Sequence, residues 1–348
     1  MVVCSRCGKL PELTRSFSDV FISLPTHHHR EGFEAALEKM NQKYAVIEEG
    51  YLIEHVDFER LIKYLCEHVF NSVEQKDVKV LSLHCGETLS YSSLNKYRRL
   101  SDWMRLIHGR EVTRIIETGS IKTLFQPIIL GKTGEIYGYE ALSRGIMRDG
   151  ELMSPDVLFK SAKEMDLMFF LDRVCREASI RAAAKHGIKE KLFINFVPTA
   201  IYEPSLCLQS TAKVLNEENI REDQVVFEVV ETERVEDFQH LNKILDYYKN
   251  QGYRTALDDI GSGFSNIDSL MKLRPDYMKI DMAIIREIHL KEENQHRLDE
   301  FIENGKKIGL MVLAEGVETQ EEYDYLKKRE VDLFQGYLFG KPEEVPKK

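Results

Sequence analysis

From residue 121 onward, short apolar runs alternate with longer stretches whose apolar positions fall three and four apart. The runs are IKTLFQPIIL (121–130), GEIYGYEAL (134–142), KLFINF (191–196), VVFEVVE (225–231), YRTALDD (253–259), YMKID (277–281), LMVLAE (310–315) and DLFQ (332–335). Helical periodicity predicts covering segments near 155–165, 169–185, 204–217, 236–250, 265–273, 293–308 and 319–329. Strands alternating with helices imply a largely parallel sheet, and eight such strands fit a (β/α)8 barrel. The first two runs are separated only by the turn at Gly131–Gly134, too short for a parallel crossover. They are expected to be antiparallel, which makes the barrel a modified one.

The first 110 residues follow a different pattern. FEAALEKMNQKY (33–44) places Phe33, Leu37, Met40 and Tyr44 on one helical face. AVIEEGYLIEHV (45–56) reads as a hairpin about Glu49 and Gly50. DFERLIKYLCEHVF (57–70) reads as a helix with Asp57 as its N-cap, DVKVLSLH (77–84) as a strand, and SYSSLNKYRRLSDWMRLIHG (90–109) as a helix. The expected organisation is a small α/β accessory domain at 1–110 and the barrel at 111–348.

Composition narrows the classes. The 348 residues are 43% hydrophobic and 30% charged, with a formal net charge of −10. That balance suits a folded enzyme or binding protein and argues against a general nucleic-acid or membrane-surface binder. No apolar run approaches the roughly 18 residues needed to span a bilayer, and MVVCSRCGKL lacks the apolar core of a signal peptide. A cytoplasmic location with no membrane partner is expected. The six cysteines, at 4, 7, 66, 85, 175 and 207, are expected to form no disulfides.

The polar residues near the strand ends change the picture. Glu140, Asn195, Glu228, the pair Asp258 and Asp259, Lys279, Glu315 and Gln335 all lie at or near the carboxyl ends of predicted strands. One polar residue where a strand meets a loop is ordinarily just solvated. Seven strands that each deliver one to the same barrel mouth, where barrel active sites lie, are another matter. The acidic groups would repel one another without a cation. Oxygen donors with no thiol or imidazole among them suit Mg²⁺ or Mn²⁺. Asp258 could bridge two ions about 4 Å apart, the usual clamp for attack on a phosphodiester. Lys279 would then face a phosphate oxygen or orient the attacking water.

These residues fall within ordered motifs: EALSR (140–144), INFVP (194–198), FEVVE (227–231), DDIGSGFSNI (258–267), KID (279–281), AEGVET (314–319) and QGYLFGKP (335–342). Over roughly 113–348 the chain resembles the EAL-domain cyclic di-GMP phosphodiesterases. The resemblance implies metal-dependent hydrolysis of cyclic di-GMP to linear pGpG, with two Mg²⁺ or Mn²⁺ ions. It implies that Glu140, Asn195, Glu228 and Asp258 hold one ion, and that Asp258, Asp259 and Glu315 hold the other. Lys279 or Glu315 would assist deprotonation of the attacking water, and Glu231 would brace the loop at 259–265. Glu318 and Gln335 would support the metal and its water. Arg144 would contact a phosphate, with Gln126, Leu142 and Gln335 at the substrate cleft. The resemblance also implies a homodimer formed through this domain. Ile260, Ser262, Phe264, Val197 and Val230 depart from the usual family residues, but no implied ligand is lost. A non-catalytic cyclic di-GMP receptor of the same fold is the alternative, and an enolase-type barrel enzyme a weaker one. No GG[DE]EF motif is present, so synthesis of the dinucleotide is not expected.

Cys4 and Cys7, in CSRCG, have the spacing of half a structural zinc site. Completing it would take ligands from Cys66, His68, His84, Cys85 or His27–His29. An inert terminus and a redox pair are the other readings of the same residues. The domain that carries them is expected to be sensory or regulatory.

Overall fold

The computed structural model describes residues 17–26, 29–48, 50–83, 85–86, 97–165, 167–201, 203–229, 238–261 and 272–347. The described residues fall into two compact units, one drawn from Met1–Arg114 with Lys160–Met165, the other from Ile115–Phe159 with Asp166–Lys348. The boundary expected at 110/111 lies inside a helix, Leu100–Thr118.

The first unit is an antiparallel sheet of β1 (Phe17–Ser23), β2 (Ala45–Ile47), β3 (Gly50–Asp57), β4 (Lys79–Leu83) and β5 (Arg98–Arg99), in the order β2-β3-β1-β4-β5. The helices Arg30–Lys39 and Phe58–His68 follow β1 and β3, giving a split β-α-β arrangement. Its core includes Val20, Ile22, Phe33, Leu37, Ile53 and Leu65, all fully buried. Asp57 caps the second helix by accepting from the Arg60 backbone N–H at 3.1 Å.

Four details differ from the sequence expectation. Strand β1 was not anticipated, because Ser18 and Asp19 interrupt its apolar run. The first helix stops at Lys39, since Asn41 turns left-handed with φ 55°. Met40 and Tyr44 therefore pack on the core from outside the helix. The hairpin pairs Ile47 with Gly50 and turns through Glu48, at φ 52°. Arg98 and Arg99 pair with β4 as a strand, so the last helix begins only at Leu100.

The second unit is a closed barrel of β6 (Ile121–Leu130), β7 (Ile136–Ile146), β9 (Lys191–Phe196), β10 (Val225–Val229), β11 (Arg254–Ile260), β12 (Tyr277–Ile280), β13 (Met311–Ala314) and β14 (Leu333–Gln335). A short strand β8 (Leu152–Met153), not anticipated, pairs with β7 outside the ring. β6 runs antiparallel to both β7 and β14, while the other neighbours around the ring are parallel. The departure from a regular barrel is thus one reversed strand. Of the covering helices, the one expected at 204–217 is divided at Leu208 into Pro204–Cys207 and Gln209–Glu218. A short helix at Met282–Ile285 is additional. Most of the segment expected at 265–273 lies outside the described residues. No described helix is long and apolar enough to cross a membrane.

Gly261 follows β11 at φ +103°, and a β-carbon there would run into Ile284 Cδ1. Strain and collision act together, so Gly261→Ala should destabilise the protein by about 2 kcal/mol. A lowered urea midpoint is expected, and an unchanged midpoint would contradict this account of the turn.

Candidate active site

The barrel interior explains how the polar residues meet. Ile128, Phe193, Val226, Ala256, Tyr277, Leu313 and Leu333 form one buried cluster inside the ring. Strand side chains alternate, so the residue two positions further points the same way. Two positions on from these residues stand Asn195, Glu228, Asp258, Lys279, Glu315 and Gln335. On the reversed β6 the step runs backward, from Ile128 to Gln126. β6 and β7 pair Gln126 with Glu140 directly, and Leu142 and Arg144 continue the Glu140 face. One apolar layer thus fixes the aim of a polar layer above it.

At the centre of that layer stands Lys279, its side chain only 1% exposed. Its Nζ lies 2.7 Å from Glu315 Oε1, 3.0 Å from Glu228 Oε1, 3.0 Å from Asp258 Oδ1 and 3.7 Å from Glu140 Oε1. Burial pulls the lysine pKa down, but Asp258, Glu140, Glu228 and Glu315 together hold it well above its ordinary value. Burial raises Glu228 and Glu315 well above the usual carboxylate range, against the pull of Lys279. One ammonium does not satisfy four carboxylates.

Asp259 should face away from Asp258 if β11 were regular. Between Leu257 and Ile260 the strand carries one residue more than β12 opposite, and Asp259 adopts φ 53°. This bulge re-aims its side chain. One oxygen from each of Asp258, Asp259 and Glu315 then falls within 4.8 Å of the others. Burial pushes the Asp259 carboxyl up to about 6, with Asp258 and Asp281 adding to the rise. Asp281, the last residue of the KID motif but given no role in the sequence reading, is thus a neighbour of the site.

A chain of amides holds the opposite wall. The Gln335 amide donates to Glu140 Oε2 at 2.6 Å and to Gln126 Oε1 at 3.1 Å. Asn195 Nδ2 donates to Glu140 Oε1 at 3.1 Å. Gln126 and Gln335 are therefore bound into the wall, close to Glu140. Arg144 is half-buried and donates from Nη1 to the carbonyl of Ser143 at 2.9 Å. Glu318 is engaged by Arg286, whose Nη1 lies 2.6 Å from its carboxylate.

Glu231, Val230, Ser262 and Phe264 lie outside the described residues, as do Cys4, Cys7, His27, His28 and His84. Of the other proposed zinc ligands, Cys66 has its thiol pushed up to about 12 by burial. Cys85 contacts His55 Nδ1 at 3.4 Å. Among the described residues, the group of three or more candidate ligands is Asp258, Asp259 and Glu315, and none forms at Cys66, His68 or Cys85.

The order and placement of these residues can now be set beside known proteins. The EAL domain model matches residues 110–342. The chain belongs to the EAL domain family. The probable cyclic di-GMP phosphodiesterase PdeG of Escherichia coli is 30% identical over 237 residues, which cover 66% of this chain and 46% of PdeG. The chain therefore spans about half the length of that relative. A standalone EAL protein from Vibrio cholerae, solved with cyclic di-GMP bound, is 37% identical with a TM-score of 0.59, covering 64% of this chain and 92% of that one. Klebsiella pneumoniae BlrP1, solved with manganese and cyclic di-GMP, is 20% identical with a TM-score of 0.58 over 94% of this chain and 97% of its own, a likeness of fold.

The EAL donor set fits divalent cations on its own chemistry. Glu228 Oε2 and Asn195 Oδ1 are buried without a hydrogen-bond partner, and Glu228 Oε1 has only the Lys279 ammonium that it shares with three other carboxylates. Such atoms are costly unless something positive faces them. Oxygens on opposite sides of a hard cation stand roughly 4–5 Å apart, and one oxygen from each of Asp258, Asp259 and Glu315 lies within 4.8 Å of the others, close enough to share an ion. Lys279→Met leaves the carboxylates uncompensated and should cost about 3–5 kcal/mol in chelator. Millimolar Mn²⁺ should then raise the melting temperature more in the variant than in the parent. Equal melting temperatures in chelator would show that Lys279 does not hold this cluster together.

Proposed function

We propose that the barrel hydrolyses cyclic di-GMP to linear pGpG. The observation that carries this is the buried convergence of Glu140, Asn195, Glu228, Asp258, Asp259 and Glu315 at one mouth, with Lys279 among them. Glu140, Asn195, Glu228 and Asp258 would hold one Mg²⁺ or Mn²⁺, and Asp258, Asp259 and Glu315 a second. Bound there, the cations would offset the buried negative charge, polarise a phosphodiester and make water easier to deprotonate.

The chain's own groups do the rest. Glu315 and Lys279 stand 2.7 Å apart and handle the proton of the attacking water, one offering acceptor oxygens and the other N–H donors. Water adds to phosphorus as the bond to a ribose O3′ breaks, and that oxygen leaves with a proton. Arg144, on the same strand face as Glu140, supplies a planar fork of donors to a phosphate. Leu142 lies between them against the nucleotide. Gln335 and Gln126 keep Glu140 in place through their amide contacts.

The preceding unit is assigned an accessory, regulatory role. The support for it is its separate core and the completeness of the donor set in the barrel unit.

Incubation with cyclic di-GMP and Mg²⁺ or Mn²⁺ should yield pGpG, and Glu140→Ala should reduce this to background. Binding without product by the parent protein would point to the receptor. Near-normal turnover by Glu140→Ala would sink the assignment. A chain begun just before Leu100, with its long helix intact, should differ from the full chain in turnover by about threefold or more. Equal rates would remove the regulatory role.

A further inference from the structure

The helix Met168–His186 turns an unusual face toward the barrel. Leu171, Cys175, Ile180 and Ala183 are apolar and buried as expected, but Asp172 and Arg176 lie among them, 3% and 0% exposed. They pair at 3.2 Å, Arg176 Nη2 to Asp172 Oδ2, one helical turn apart. Arg176 Nε and Nη1 have no hydrogen-bond partner. A buried ion pair with donors left over adds little to stability, because desolvation offsets the attraction. Its presence calls for another reason.

Asp172 Oδ1 accepts the backbone N–H of Val197 at 3.0 Å. Val197 is two residues beyond Asn195. There β9 has ended, at Phe196, and the chain turns into the short 3-10 helix Pro198–Ala200. Between Asn195 and that turn, the contact to Asp172 anchors the departing backbone. Asn195 is also held at its amide nitrogen by Glu140, which leaves Oδ1 buried and unpartnered toward the site.

We propose that Asp172 is a positioning residue for the cation site. It fixes the end of β9, and with it the direction of Asn195 Oδ1, while Arg176 holds its carboxylate in line. This rests on the divalent-cation site proposed above. Groups that orient a metal ligand typically change metal affinity 10- to 100-fold when removed.

The test uses full-length protein and Mn²⁺ alone, without nucleotide. Asp172→Leu/Arg176→Met replaces the pair with apolar side chains of similar bulk and removes the acceptor for Val197. Asp172→Asn/Arg176→Met also removes both charges but keeps an acceptor oxygen. Both should melt close to the parent. In a Mn²⁺ titration followed by electron paramagnetic resonance, the leucine variant should bind about tenfold more weakly or worse. The asparagine variant should return to within about threefold of the parent. If the leucine variant does not fold, a tenfold loss in Asp172→Ala at a temperature where it is folded supports the same role. Equal Mn²⁺ affinities in folded variants would overturn the positioning role and leave the proposed hydrolysis standing. Tight Mn²⁺ binding by the parent without any pGpG formation would overturn the hydrolysis and leave the positioning role standing.

Discussion

Glu140, Glu228, Asp258 and Glu315 converge on the single ammonium of Lys279 in a space nearly closed to water. Two like charges about 4 Å apart repel by roughly 4 kcal/mol at the effective dielectric of partly buried sites, so one lysine cannot settle four carboxylates. The raised pKa values of Glu228 and Glu315, with Glu228 Oε2 and Asn195 Oδ1 lacking a hydrogen-bond partner, express the same shortage of positive charge. Much of the barrel mouth can be understood as a means of holding this arrangement ready for cations. Gln335 ties Glu140 from one side, Asn195 ties it from the other, and Asp172 anchors the strand end behind Asn195.

Two local irregularities adapt a regular scaffold to that task. In an ordinary strand pleat, adjacent residues diverge, which would send Asp259 away from the mouth. The extra residue in β11 and the left-handed backbone at Asp259 bring the second aspartate round to Asp258 and Glu315. The reversal of β6 sets Gln126 opposite Glu140, so that a glutamine from the first strand reaches Gln335 on the last. The left-handed backbone at Asp259 and the tight approach at Gly261 fall within three residues of each other, next to the carboxylate cluster.

Much of this was legible in the sequence, because a closed barrel converts a period of two into position. A run such as LFIN or TALD places its terminal polar residue above an apolar one on the same face, so the aim of Asn195 or Asp258 followed from the pleat alone. The antiparallel first pair followed from a turn too short for a crossover. The bulge at Asp259 left no such signal, since nothing in LDDIG separates a regular strand from a bulged one. Glu318 was singled out by its place in AEGVET, but its ion pair with Arg286 was not visible, because Arg286 arrives from a distant segment. Asp172 and Arg176 could have been noticed as opposite charges four apart on an otherwise apolar helical face. Their contact with Val197 could not, because it joins two elements across the wall of the barrel. In the smaller unit, the strand at Phe17–Ser23 was hidden by Ser18 and Asp19, whose burial depends on tertiary partners: Asp19 accepts the backbone N–H groups of His55 and Gly86, both at 2.7 Å.

The central claim is that this carboxylate cluster is a site for two divalent cations. An anomalous-difference map from crystals grown with Mn²⁺ tests it most directly. Two peaks about 4 Å apart are expected, one contacted by Glu140, Asn195, Glu228 and Asp258 and the other by Asp258, Asp259 and Glu315. A map without density there at saturating Mn²⁺, with Lys279 still the only cation among the carboxylates, would contradict the account.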